Sequence, residues 1–335
     1  MRKPEPPLDG FRRAPPLPSP APPGVPDRGG LLFGGTHYSH GVTEEYDPAQ
    51  SAATNEALID PDLLRIPVGP GAIHVERYGH GGTPIVLLHG FGTSSFLWRT
   101  VAPDIAEARH TAIALDLLGY GESDRPLDTD FGIAGQAEYV ERVLVALRIP
   151  RAAIVGVDLG GAVAMRLAVA HPDRVSHVIL VNSLTADSTP AADVRALQRN
   201  TARYVLQVST GVLGVAPLLT PVLERSVANR AHMPWRLVAR YLAPYVGQEG
   251  VRHLLALAAS VTARDLDGAD PASLRVPALV VRGESDEWLE DGVAERLSAG
   301  IPNSQLIRLP GVGRLVPEEA PEQLAELVMK FVVSG

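Results

Sequence analysis

From about residue 70 onward, short apolar runs alternate with stretches whose apolar positions recur at helical spacing. That alternation marks strand–helix units built around a buried parallel sheet. It predicts strands at Ala72–Tyr78, Pro84–Leu88, Thr111–Asp116, Ala153–Val157, Val175–Asn182, Pro277–Arg282 and Ser304–Leu309. Several are rich in Val, Ile and Leu at successive positions, as strands covered on both faces require. Helices are predicted over Phe131–Leu147, Gly160–Ala170, Gly292–Ala299 and Glu319–Val332. Between Leu184 and about Ala272 the alternation stops. Helical periodicity continues there without strands, over Val194–Val208, Ala216–Val227, Trp235–Tyr241 and Gly250–Ala263. A helical insertion before the sheet resumes reads as a lid over the carboxyl ends of the strands, where open α/β sheets bind ligands.

Composition sharpens this picture. Of 335 residues, 45% are hydrophobic and 20% charged, the balance of a globular chain with a sizeable core. The net charge of −8 gives no basic field for nucleic acid or an anionic membrane. Cysteine is absent, which removes disulfides, thiol nucleophiles and cysteine metal sites. Residues 1–26 hold ten of the thirty prolines, so the segment 1–55 reads as a Pro-rich, disordered tail. Prolines follow Arg12-Arg13 where a signal helix would be needed, and a cytoplasmic location is expected. The apolar stretch Val205–Leu223 contains Gly211, Gly214, Pro217 and Pro221, so it reads as a lid helix and not a membrane span.

The strongest local motif is Gly156-Val157-Asp158-Leu159-Gly160. A strand enters a tight turn, one polar residue sits at its apex, and a helix of small residues follows. This matches the nucleophile elbow G-x-Nuc-x-G with aspartate at the apex. A simple strand–helix turn with a helix-capping aspartate would use the same residues. Four further motifs accompany it in order: His89-Gly90-Phe91-Gly92, Asp116 to Asp124, Gly283-Glu284-Ser285-Asp286, and Gly311 to Pro321.

Together these motifs resemble the α/β-hydrolase superfamily over about residues 65–335. The resemblance implies a mostly parallel central sheet flanked by helices, with a helical lid inserted after the sixth strand. The core would comprise residues 56–183 and 273–335, and the cap residues 184–272. An aspartate at the elbow is similar to the branch of epoxide hydrolases and haloalkane dehalogenases, as is Ser94 to Arg99 after the first loop. In that branch the carboxylate attacks carbon to form an ester, and a histidine oriented by an acid activates water to cleave it. The resemblance implies Asp158 as nucleophile, Asp286 as acid, and the backbone N–H groups of Phe91 and Leu159 as an oxyanion hole.

The departure is Arg314, which stands where the family carries histidine. Arginine stays protonated and cannot serve as a general base. Three readings follow. In the first the protein is an epoxide-hydrolase-like hydrolase whose base is His232, His253 or lid-held water; in the second Arg314 pairs with Asp158 or Asp286 in a lyase, isomerase or cyclase site; in the third the pocket binds a ligand without turnover. Epoxide opening would need a lid acid, for which Tyr204, Tyr241 and Tyr245 are the candidates. Leu159 and Phe91 replace the donors that hold halide in dehalogenases. Val205–Leu223 and Leu254–Ala259 favour a small, largely apolar substrate. No metal ligands, cofactor motif or nucleic-acid partner are expected, and nothing in the sequence sets an oligomeric state.

Overall fold

The computed structural model describes residues 59–201, 204, 206 and 215–334. The predicted Pro-rich tail, and most of Val205–Leu223 before its last turns, lie outside the described residues.

Eight strands form one sheet in the order β1-β2-β4-β3-β5-β6-β7-β8. They are β1 Asp62–Pro67, β2 Ala72–Tyr78, β3 Pro84–Leu88, β4 Thr111–Leu115, β5 Ala152–Val157, β6 Val175–Val181, β7 Ala278–Gly283 and β8 Ser304–Leu309. β1 runs antiparallel to β2, and β2 antiparallel to β4; all later pairings are parallel. Every residue of β5 and of β7 is buried, which explains the continuous apolar runs of β5 and of Ala278 to Val281 in β7. Helices α1 Val101–Glu107, α2 Ile133–Ala146, α3 Leu159–Ala170 and α8 Val293–Gly300 connect the strands. α9 Val316–Glu319 and α10 Pro321–Ser334 close the chain. α1 packs against α10, and α2 against α3.

Between β6 and β7 the described residues contain helices and no strand. These are α4 Ala192–Gln198, α5 Ala216–Glu224, α6 Trp235–Leu242 and α7 Gly247–Ser260. The predicted helix Val194–Val208 is interrupted: α4 stops at Gln198 because Arg199 has extended backbone, and Asn200, Thr201, Tyr204 and Leu206 are helical again. The single predicted helix Glu319–Val332 is two, since Ala320 leaves helical geometry before Pro321. Among the described residues no helix is long and apolar enough to cross a membrane.

Parallel strands aim their carboxyl ends at one rim of the sheet. The loops after β3, β4, β5, β6, β7 and β8 therefore carry His89 to Gly92, Asp116 to Asp124, Asp158, Asn182, Asp286 and Arg314 respectively. The turn from β5 into α3 is unusually close to its neighbours. A side chain at Gly160 would fall on the Leu88 and His89 carbonyls, and one at Gly156 would fall on the Gly160 carbonyl.

Backbone carbonyls cannot move aside as a flexible side chain can. Gly160→Ala should cost about 1–3 kcal/mol of stability, as overpacking in a dense core does. Thermal unfolding would show this as a clear drop in Tm; an unchanged Tm would mean that the turn has slack.

Candidate active site

Asp158 occupies the apex of the β5–α3 turn at φ 54 and ψ −115, a conformation that a non-glycine residue holds only when its surroundings impose it. Its backbone N–H donates to the Val181 carbonyl, and its own carbonyl accepts from Gly161, Ala162 and Leu184. The side chain does not cap α3. Instead Oδ2 accepts the Phe91 backbone N–H at 2.9 Å. Leu159 follows as the buried first residue of α3. The carboxylate is 2% exposed and turns its other oxygen, Oδ1, to Arg314 Nη2 at 2.6 Å. That contact is an ion pair without the alignment of a hydrogen bond.

Arg314 is itself only 4% exposed. Its Nη1 donates to Asp193 Oδ2 at 3.0 Å, a residue of α4 that lies 121 positions away in sequence. The guanidinium carbon is also 5.9 Å from the Trp288 ring centre. Burial alone would lower the Arg314 pKa, but the charges of Asp158, Asp193 and Asp286 outweigh it and push the pKa up. Arg314 is therefore a permanent buried cation.

Asp286 differs from the expected partner of Arg314. Its Oδ2 takes Arg282 Nη1 at 3.2 Å, and its Oδ1 takes the Trp288 N–H at 2.8 Å. Burial pushes its pKa up, opposed by the charges of Arg314 and Arg282. Asn182 ties this end of the sheet together. Its Nδ2 donates to the Gly313 and Arg314 carbonyls at 3.0 and 3.1 Å, while its Oδ1 accepts the Gly283 N–H.

The candidate lid residues are scattered. Tyr204 is 70% exposed. Tyr241 donates to Glu318, which Arg99 also grips with two bonds of 2.7 and 2.6 Å. Tyr245 is buried with its hydroxyl unpaired, and so is Tyr120 from the loop after β4. The Tyr120 ring lies edge-on to Phe91, and its hydroxyl feels the charge of Asp158 and the proximity of Tyr245. Burial pushes both hydroxyl pKa values well up, so both remain protonated donors. His232 is largely exposed and sits 3.6 Å from Glu319. His253 is buried, with Nε2 bonded to the Gly119 carbonyl at 2.6 Å and its ring against Phe131. His89 bonds Gly90 and Leu117, fixing the loop after β3. No histidine hydrogen-bonds Asp158 among the described residues. There is also no cluster there that could hold a metal ion. Leu257, expected to line a pocket, packs beside Gly119.

Sequence reasoning missed Asp193, Asn182, Arg282 and Tyr120. Only the general rule that a buried guanidinium needs carboxylates pointed toward a partner such as Asp193.

The family model described as alpha/beta hydrolase fold matches residues 83–321. The chain belongs to that family. It is 27% identical over 275 residues to the uncharacterized hydrolase YugF of Bacillus subtilis (strain 168), covering 81% of this chain and 97% of that protein. Haloalkane dehalogenase 2 of Mycobacterium bovis is 28% identical, with 78% of this chain and 91% of the relative covered. Among solved structures, an alpha/beta hydrolase fold protein from Burkholderia ambifaria superposes with a TM-score of 0.70 at 29% identity, over 81% of this chain and 99% of that one.

Burial depresses the His253 pKa below its ordinary value near 6.5, opposed by the bond to Gly119. The unfolded chain therefore binds this proton first, so stability present above about pH 6.5 is lost as pH falls through the folded pKa. Replacing His253→Gln keeps a donor for Gly119 and should flatten the decline of Tm between about pH 7 and 5. An identical pH slope in the variant would show that folding does not depress the His253 pKa.

Proposed function

We propose that Arg314 stands in the place of the histidine base, and that the Asp158–Arg314 pair performs non-hydrolytic proton transfer. The substrate is a small, largely apolar carbonyl compound beneath a cap formed by residues 184–272. The observation that carries this reading is the 2.6 Å contact between Arg314 and Asp158 Oδ1, the carboxylate oxygen not held by Phe91.

An ester cycle needs a group that activates water. Arg314 cannot accept a proton, His232 is engaged near Glu319, and His253 is held at Gly119. Attack by Asp158 on carbon would therefore end in a trapped ester. A carboxylate offers about four lone-pair sites, and Phe91 and Arg314 take two, so proton acceptance stays open. Asp158 Oδ1 takes a proton from the carbon next to the carbonyl. Charge then develops on the carbonyl oxygen, for which the buried, unpaired hydroxyls of Tyr120 and Tyr245 are the donors. Where the substrate carries a β,γ double bond, returning the proton to the γ carbon of the dienolate completes an isomerisation and restores the carboxylate; with a simple ketone the proton returns to the same carbon and only exchange is seen. The haloalkane dehalogenase relative supports a small organic substrate.

The test is deuterium exchange. Incubation of a panel of small apolar ketones with the protein in D2O should give Asp158-dependent incorporation beside the carbonyl, read by mass spectrometry and lost in Asp158→Asn. A parallel panel of epoxides should give less than one equivalent of diol per protein. Many turnovers to diol, lost in Asp158→Asn, would overturn the reading in favour of hydrolysis.

A further inference from the structure

Charge is spread unevenly over the segment between β6 and β7. From Arg225 to Gln248 the chain holds no aspartate or glutamate, yet Arg225, Arg230, Arg236 and Arg240 all lie there. The chain as a whole stands at −8, so this run is a local exception. Arg225 pairs with Glu287. Arg230, Arg236 and Arg240 are exposed, and none has an ion pair among the described residues. The Arg240 guanidinium carbon lies 5.4 Å from the Phe96 ring centre, in a crevice that Glu76, Asp116 and Glu122 also line. Arg230 and Arg236 are therefore the less compensated charges.

α6 sorts its residues cleanly. Val238, Tyr241 and Leu242 are buried, while Trp235, Arg236, Ala239 and Arg240 are exposed. At 3.6 residues per turn those four share one arc, opposite the buried three. Trp235 is 76% exposed, although its ring is among the largest apolar surfaces a side chain can bury. A single exposed apolar residue is ordinary. A tryptophan set among unpaired arginines on an acid-free run is not, and its chemistry matches a bilayer surface. The indole suits the headgroup layer, with its ring toward the acyl chains and its N–H toward polar acceptors. The guanidinium groups suit lipid phosphates. Nucleic-acid binders engage about six to ten phosphates, more than this arc offers.

We propose that the exposed arc of α6, with Arg230 in the turn before it, docks on an anionic lipid surface. Trp235 enters the headgroup layer, and the arginines pair with lipid phosphates. The proposal uses none of the chemistry at Asp158.

The experiment mixes the full chain with vesicles of pure phosphatidylcholine, or of equal parts phosphatidylcholine and phosphatidylglycerol. It follows co-sedimentation and tryptophan emission. Trp98 is fully buried and Trp288 half-buried, so a change on docking reports Trp235. The mixed vesicles should bind at least about tenfold more tightly than the neutral ones and shift the emission to the blue. Trp235→Phe should abolish that shift. Each arginine near such a surface is worth about fivefold in affinity, so Arg230→Gln with Arg236→Gln should weaken binding at least about tenfold at an unchanged Tm. No binding to the mixed vesicles, equal binding to both kinds, undiminished binding by the double variant, or sedimentation without the Trp235 shift would each overturn the proposal. Saturable binding of single-stranded DNA but not of vesicles would overturn it in favour of a nucleic-acid partner. None of these outcomes depends on the deuterium-exchange result, so the two readings fail separately.

Discussion

A guanidinium buried to 4% exposure is the constraint around which this rim of the sheet is organised. Removing such a charge from water is costly, and only carboxylates in good geometry offset the loss. Arg314 meets that demand with Asp158 on one side and Asp193 on the other. The consequence reaches the chemistry. The elbow aspartate, already gripped by the Phe91 N–H, gives its second oxygen to the same cation. Both carboxylate oxygens of Asp158 are thereby engaged, and the Arg314 guanidinium acts as a clamp across the ends of β5 and α4.

The clamp is held by the backbone as firmly as by charge. Asn182, at the end of β6, bonds the carbonyls of Gly313 and Arg314 and the N–H of Gly283, joining the loops after three strands. Glu319 accepts from the N–H groups of Gly313, Ala228 and Asn229, and Leu315 donates to the Ser226 carbonyl. The helical segment between β6 and β7 is thus bonded directly to the loop that presents Arg314. Arg99, Glu318 and Tyr241 form a second tie between α6 and the core. A movement of the α4–α7 segment cannot leave the Arg314 loop undisturbed.

Much of the fold is legible in the sequence because buried parallel strands need continuous Val, Ile and Leu, and their turns need glycine. β5 and the turn through Gly156 and Gly160 are of this kind. β1 escapes because it is an edge strand with an exposed face, reading Asp62 to Pro67 without a continuous apolar run. α1 escapes because its seven residues include Pro103 and complete fewer than three turns. The site is legible where a motif carries it, as at Asp158, Phe91, Asp286 and Arg314. Asp193 is not, since an aspartate near a short helix carries no local sign of a partner 121 residues away. Tyr120 is hidden differently: as one residue of a glycine-rich loop it looks like filler, and only the structure shows its free, buried hydroxyl near Asp158.

The central claim is that Arg314 and Asp158 act as one electrostatic unit, and a double-mutant cycle on thermal and denaturant unfolding measures this directly. Arg314→Met alone leaves Asp158 and Asp193 buried beside no cation, a loss of about 3–5 kcal/mol. Asp158→Asn alone removes part of the compensation for the guanidinium. With both replaced, the total loss should fall short of the sum by more than about 1 kcal/mol, the signature of coupled partners. Losses that add to within about 0.5 kcal/mol would contradict the account, because residues that add do not hold each other.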